Sequence, residues 1–408
     1  MAASPDMTRS SRAGTVAALG AAQTLAWASS YYLPAMLATP MAKDLGVTAP
    51  TIFAAFSLAL IVSAVLGPYA GRAIDRWGGR PVLIGTNVVF ALGLAGLGFA
   101  NGPFALFAAW MVIGIGMGSG LYEAAFAALV RLYGRDSRNV ITGITLIAGF
   151  ASTVGWPLST LLESQVGWRG ACFGWAALHV FVGIPLNLSL PKAGAAAAGV
   201  QVQPGPSSTD PAAAPGQRAA LILAFVFAAT WFASTAMAAH LPRLLQAGGA
   251  TLATAVAIGA LVGPAQVGGR LLEFGVLRRV HPLLSARLAA LMHPVGATLL
   301  MAFGAPAAAV FAILHGAGNG ILTIAKGTLP LALFGPQGYG HRQGLLMVPA
   351  RVAQALAPWL FGILLDRWGI GALGFTAALG LAAFVALLLL PKPVGDPDMA
   401  GAVPIADG

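Results

Sequence analysis

Twelve apolar blocks, each about the 20 residues that a helix needs to cross a hydrocarbon layer of roughly 30 Å, constrain this chain more than any other feature. Their approximate limits are 14–39, 50–70, 81–100, 103–130, 140–162, 170–190, 219–241, 251–269, 283–303, 306–333, 344–365 and 370–390. The whole chain is 58% hydrophobic and only 8% charged, whereas about a quarter of a soluble domain is charged. Such a surface cannot be kept in water. The expected fold is therefore all-α and integral to a membrane, with twelve transmembrane helices.

A net charge of +10 raises the question of nucleic acid, and its distribution answers it. Sixteen of the 22 basic residues fall on one set of alternating loops and the termini, four fall on the opposite set, and Lys326 and Arg351 lie inside apolar blocks. This positive-inside bias places both termini in the cytoplasm of a multi-pass protein in a bacterial-type inner (plasma) membrane. The excess charge is expected to meet anionic membrane lipid, and no nucleic acid is expected. The first block outruns the apolar core of a signal peptide and no small-residue cleavage site ends it, so it is expected to stay as the first span. Cys172 is the sole cysteine. It excludes an intrachain disulfide and is expected to serve helix packing. No metal site, cofactor or nucleotide-binding motif is expected.

Between Lys192 and Arg218 the chain reads KAGAAAAGVQVQPGPSSTDPAAAPGQR, rich in Ala, Gly, Pro and Ser and without apolar periodicity. It divides a first six-helix bundle (1–191) from a second (219–408, ending in a short disordered tail), with 192–218 as a cytoplasmic linker. The halves repeat. Leu190 to Lys192 and Leu390 to Lys392 both read LPK; Pro157 matches Pro358; Gly114, Gly116 and Gly118 match Gly316, Gly318 and Gly320; GRAID at Gly71 to Asp75 matches GRLLE at Gly269 to Glu273. Two parallel repeats with a site at their interface is a transporter arrangement.

The segment GPYAGRAIDRWGGR (Gly67 to Arg80), between the second and third blocks, resembles the signature loop of the major facilitator superfamily, with a weaker copy at Gly269 to Arg279. The resemblance covers essentially the whole chain. It implies that Gly67, Gly71, Arg72, Asp75, Arg76 and Arg80, with Gly269, Arg270 and Glu273 in the second copy, form a gating loop that holds the outward-facing state. Physically, Asp75 just beyond a span can accept hydrogen bonds from a neighbouring helix N-terminus and pair with arginines, while the glycines admit close helix approach. The Tyr31–Tyr32 pair resembles the monocarboxylate and oxalate-formate porter branch. That branch commonly carries an arginine inside the eighth span, and this sequence has no charge between Thr251 and Gly269.

Charges inside spans mark the expected solute site, since one at the bilayer centre costs at least about 2.5 kcal/mol unless it meets a partner or a wet cavity. Glu123, Lys326 and Arg351 fall at similar depth in the fourth, tenth and eleventh blocks. In one reading Lys326 and Arg351 attract an anionic or polar substrate and Glu123 exchanges a proton; in the other Glu123 pairs permanently with Lys326 or Arg351 as a structural bridge. Tyr31, Tyr32, Gln23 and Trp231 are further candidates to line the cavity. His179, His293 and His315 lack metal-ligand spacing and are expected at helix contacts, and His240 is a proton-relay candidate. Asp366 to Gly369 is expected to be a surface turn. The chain is expected to act as a monomer and as a proton-coupled or exchange porter of a small organic anion resembling a monocarboxylate. The alternatives are an efflux pump for hydrophobic or cationic compounds and a non-transporting receptor or scaffold. An enzyme would need clustered nucleophiles within the spans, and none is visible.

Overall fold

The computed structural model describes residues 5–192 and 216–390. The expected linker at 192–218 lies outside the described residues except for its ends, as does the expected tail beyond 390. Among the described residues the secondary structure is entirely helical. In order come α1 (Pro5–Ser29), α2 (Leu33–Asp44), α3 (Ala49–Trp77), α4 (Gly79–Gly98), α5 (Pro103–Gly120), α6 (Tyr122–Tyr133), α7 (Arg138–Ala148), α8 (Ala151–Leu178) and α9 (Ile184–Leu188). The second half holds α10 (Gln217–Ala247), α11 (Leu252–Gly259), α12 (Val262–Gly275), α13 (Pro282–Phe303), α14 (Ala308–Phe334), α15 (Tyr339–Trp368) and α16 (Leu373–Leu388).

Eight helical stretches are long and apolar enough to cross a bilayer. Two of them, Arg138–Leu188 and Tyr339–Leu388, run 51 and 50 residues, each enough for two crossings. Each contains a glycine in the left-handed region that only a residue without Cβ adopts freely, Gly167 at φ 70° and Gly369 at φ 54°. Two more expected spans, the first and the eighth, are each broken into shorter pieces, α1 with α2 and α11 with α12. Among the described residues eight stretches meet length and hydropathy together, so the all-α membrane fold agrees with expectation while the count of twelve stays an expectation.

The breaks fall at informative places. The first span is interrupted at Ser30 to Tyr32, and the fourth at Leu121, whose φ/ψ of −81°/−167° is extended. Backbone groups freed at mid-membrane must find new partners because lipid offers none. Gln23 on α1 supplies one: its Nε2 donates to the Gly120 carbonyl at 2.7 Å. The glycine ladders explain the packing. Gly114 and Gly118 of α5 press on Ala59 and Ser63 of α3, and Gly116 presses on Phe90 of α4. Gly316 and Gly320 of α14 press in the same way on Val262 and Gln266 of α12, and Gly318 on Ala289 and Met292 of α13. A methyl on Gly114 would stand 2.6 Å from the Ala59 carbonyl oxygen, so only glycine permits this approach.

The apolar core divides along the same line. Among the described residues one cluster runs from Leu19 to Leu190 and takes in Leu331 and Tyr339 from the second half, with Trp231 and Ala355 packed against it, while the others lie between Ala219 and Leu390. One expectation needs correction. Gly67 to Trp77 is not a loop but the last turns of α3, which reaches α4 through the single residue Gly78 at φ 86°. The second copy is likewise helical from Gly269 to Gly275 in α12. An apolar-block reading ends a span at the first charges, whereas here Arg72, Asp75 and Arg76 ride on the same helix as the apolar run and Arg80 lies in the first turn of α4.

Candidate functional site

The three charges inside apolar segments converge between the halves, Glu123 on Arg351 and both cations beside Trp231. Glu123 lies in the first turn of α6, just after the break at Leu121, where the positive end of the helix dipole favours a carboxylate. Its Oε2 accepts a hydrogen bond from Arg351 Nη2 of α15 at 2.9 Å, an ion pair in which Glu123 keeps 17% side-chain exposure and Arg351 only 4%. Arg351 Nη1 donates to Gln354 Oε1 at 3.1 Å, and Gln354 Nε2 donates to the Tyr31 hydroxyl at 2.9 Å. A polar chain therefore crosses from Glu123 to Arg351 and returns through Gln354 to the break in the first span.

Lys326 of α14 stands differently. It is 4% exposed, and its ammonium makes no hydrogen bond or ion pair among the described residues; it lies 4.2 Å from the centre of the Trp231 ring, with the Arg351 guanidinium 5.5 Å from that ring. The bridge from Glu123 thus runs to Arg351, not to Lys326. Three charges sum to one surplus cation. A cation–π contact contributes about 0.5–2 kcal/mol, less than the cost of a charge held away from water. Beside Glu123 and Arg351, a cavity lined by Ser63, Gly67, Gly118 and Gly344 offers about 10 Å³, the room of roughly one water. Sequence reasoning missed Gln354 but named Trp231 among the candidates to line the cavity. The signal available for Gln354 was its place one helical turn after Arg351, on the same face.

Around this centre lie aromatic rings. Tyr31 meets Trp27 at 5.2 Å, Tyr32 at 5.4 Å and Phe56 at 5.5 Å between ring centres, and Trp27 meets Tyr122 at 4.9 Å. Tyr31, Tyr32 and Phe56 are partly exposed.

The expected gating residues sit at the side of the molecule where α9 ends and α10 begins, called here the linker side. Asp75 accepts from the backbone N–H groups of Gly340 and His341, each at 2.9 Å, in the first turn of α15. Arg72 lies 3.3 Å from His341 Nε2, Arg76 lies over Trp77, and neither these nor Arg80 forms an ion pair with Asp75 among the described residues; the arginine on which Asp75 acts electrostatically is Arg342 of α15. Bonds from two amides at a helix start satisfy a carboxylate without a cation. Gly71 contacts the Gly340 carbonyl directly, and Gly67 approaches Gly344 at 3.9 Å from its would-be Cβ. In the second copy Glu273 is buried and pairs with Arg138 at 2.8 Å, while Arg270 Nη1 donates to the Thr145 carbonyl at 3.2 Å. Arg138 also donates to the Val280 carbonyl at 2.8 Å. Gly269 differs from Gly71, because it abuts Ala317 within its own half.

The histidines serve helix contacts. His179 bridges Ser29 and Asn87, each at 2.8 Å, His293 and His315 share an Nδ1 to Nδ1 hydrogen bond of 2.9 Å, and His240 Nε2 bonds the Pro358 carbonyl at 2.7 Å. Asp366 pairs with Arg243, both exposed, just before the turn at Gly369.

The family model described as Major Facilitator Superfamily matches residues 19–296. The chain belongs to the Major Facilitator Superfamily. A Thermoproteus tenax protein described as an uncharacterised 38 kDa protein in a 23S RNA operon is 30% identical over 85% of this chain and 87% of its own. A gentisate transporter of Corynebacterium glutamicum is 25% identical over 86% of this chain and 80% of its own. Mouse monocarboxylate transporter 11 matches at 32% identity over 30% of this chain and 28% of its own. The solved structure of the proton:xylose symporter XylE superposes with a TM-score of 0.73 at 14% identity, covering 94% of this chain and 96% of that one. As a member of the superfamily, this protein is a multi-pass membrane transporter of a small-molecule solute and not an enzyme.

Proposed function

We propose that this major facilitator carries a small organic anion, coupled to protons or to exchange, with its two halves (1–191 and 219–408) rocking about the central charged cluster. The charge at Lys326 supports this reading: the acid that acts on it, Glu123, is already bound to Arg351, so the buried ammonium beside Trp231 would gain from the solute's negative group. Arg351 is the second anchor. When Glu123 takes a proton it releases Arg351, and the solute carboxylate replaces it there, so anion and proton load together. Gentisate and monocarboxylates, named for the Corynebacterium and mouse relatives, are both carboxylates. An efflux reading draws on a shorter match to the purine ribonucleoside efflux pump NepI over 40% of the chain, against 86% for the gentisate transporter.

Asp75 and Glu273 serve as a pair of latches in this scheme. Both tie the start of a helix of one half to the end of a helix of the other on the linker side. With the termini in the cytoplasm, the conformation described is closed to the cytoplasm, and Arg72, Arg76 and Arg80 steer anionic lipid or balance the latch rather than touch solute. Counterflow in proteoliposomes over a panel of small carboxylates and amphiphilic cations tests the reading. Exchange of carboxylates, abolished by Lys326→Ala, is the expected outcome. Exchange of the cations alone would reverse it.

A further inference from the structure

We propose that the small cavity beside Glu123 is a water site held by Ser63, and that this water is the proton's exit from Glu123 toward the linker side. This rests on the proton-coupled reading above and adds the route by which the coupling acid loses its proton. Three observations carry it.

The first is an unmet hydroxyl. Ser63 of α3 is 2% exposed, and its Oγ has no hydrogen-bond partner among the described residues. A serine inside a helix commonly donates back to a carbonyl of the preceding turn, as Ser29, Ser30 and Ser119 do to Leu25, Ala26 and Ile115. Ser63 does not, and a buried hydroxyl left unpaired is costly.

The second is what faces it. Ser63 and Glu123 line the same cavity of about 10 Å³, together with Arg351, Gly67, Gly118 and Gly344, the room of about one water. Glu123 commits Oε2 to Arg351 at 2.9 Å, and its Oε1 accepts no hydrogen bond among the described residues. A buried water takes about two to four polar partners, and the hydroxyl, the carboxylate and the guanidinium supply them.

The third is position. Ser63, Gly67, Gly71 and Asp75 follow at four-residue steps along one face of α3. Linker-ward of the cavity Gly344 abuts Pro68 and Gly71 abuts Gly340, whose N–H, with that of His341, is held by Asp75. The latch is therefore the lid over this water. Glu123 and Arg351 are the charged groups lining the cavity. Lys326 and Glu123 act on each other from α14 and α6, and Tyr339 of α15, its hydroxyl on the Gly327 carbonyl, feels both Glu123 and Asp75. Arg72 and His341 lie beyond the glycines, bonded to each other. When the latch opens, protonated Glu123 gives the Oε1 proton to the water, the water passes one of its own to linker-side solvent, and the carboxylate returns to Arg351.

Infrared difference spectroscopy between acid and neutral pH, on the purified full chain in lipid nanodiscs, tests this without any solute. The carboxyl band removed by Glu123→Gln is expected to appear with a single-water O–H band that shifts in heavy-oxygen water. Ser63→Ala takes away the water's partner, whereas Gly67→Ala sets a methyl 3.9 Å from Gly344, an ordinary contact, in the water's space. Both are expected to erase the water band. After a jump from acid to neutral pH in the latch-released variant Asp75→Asn with Glu273→Gln, adding Ser63→Ala is expected to slow decay of the carboxyl band roughly tenfold, the weight of one hydrogen bond. If a Ser63→Ala protein does not fold, adding Gly67→Ala instead reads the same decay. Persistence of the water band in either variant, or an unchanged decay, would overturn the water route. Absence of a carboxyl band that Glu123→Gln removes would instead overturn Glu123 as the proton carrier.

Discussion

At the scale of single residues, Glu123, Lys326 and Arg351 are separable because only two of them are paired. Glu123→Gln keeps the shape and hydrogen bonding of a protonated carboxyl, so gradient-driven accumulation should fail while counterflow survives. Lys326→Ala or Arg351→Ala should weaken anion binding, since one lost charge-assisted contact costs about 1.5–3 kcal/mol, or roughly 10- to 150-fold in affinity. Calorimetry with anionic and neutral solutes checks this, and equal losses for both would count against direct contact. Because the bridge runs from Glu123 to Arg351, a purely structural role is tested by Glu123→Gln combined with Arg351→Met. That double change should fold, because it removes both members of the buried pair together and leaves Lys326 on Trp231, yet should not transport; full transport would make the pair a structural tie. These charges were legible in the sequence because a charge inside an apolar block stands out. Gln354 was not, since a neutral amide carries no such signal and its role depends on which face of α15 meets Tyr31.

At the scale of elements, the close approach of α3 and α15 depends on glycine. A Cβ on Gly71 would collide with the Gly340 carbonyl, whereas one on Gly85 would meet nothing within 4 Å. Gly71→Ala should therefore pry the two helices apart at the linker side, while Gly85→Ala should be neutral; spin-label distances between α3 and α15 read the difference. The start of α13 offers a pH test. His281 Nδ1 accepts from the Leu283 N–H at 3.1 Å as its cap, and burial, then Arg138 and Arg287, hold its imidazole below the usual 6.5. A base whose folded pKa is depressed stabilises the fold while neutral, so this contribution is present above about pH 6.5 and is lost as pH falls through the lower folded value. His281→Asn, which keeps a capping oxygen, should flatten the acid limb of a thermal-melt profile; an unchanged limb would remove His281 from the account of acid sensitivity. The approximate placing of the spans, the glycine ladders and the half-to-half spacing could be read from apolar runs, whereas the continuation of α3 to Trp77 could not. The breaks at Ser30 to Tyr32 and at Leu121 could not, because these residues are apolar or neutral and only tertiary partners such as Gln23 make a break tolerable.

At the scale of the whole molecule, the polar contacts between the halves run from the linker side to the charged cluster: Arg138 with Glu273, Asp75 with Gly340 and His341, Glu123 with Arg351, and Gln354 with Tyr31. Releasing both latches with Asp75→Asn and Glu273→Gln should enrich conformations open on that side, with longer linker-side distances by electron-spin resonance; unchanged distances would deny them a gating role. In a Cys172→Ser background, single cysteines at Asp136 and Gln337, both exposed, should label from the cytoplasm and those at Gly102 and Ala247 from the periplasm, and the opposite pattern would invert the orientation. The repeat and the charge bias were visible in the sequence as patterns along the chain. Which charge pairs with which was not, since the pairing joins residues 228 apart and depends on how one half sits on the other. The most direct measurement is accumulation of a small carboxylate in proteoliposomes under an imposed pH gradient, comparing the unaltered protein with Glu123→Gln. Accumulation by the unaltered protein alone, with counterflow retained by both, is the expected result; equal gradient-driven accumulation by the two proteins would contradict Glu123 as the coupling acid of an organic-anion porter.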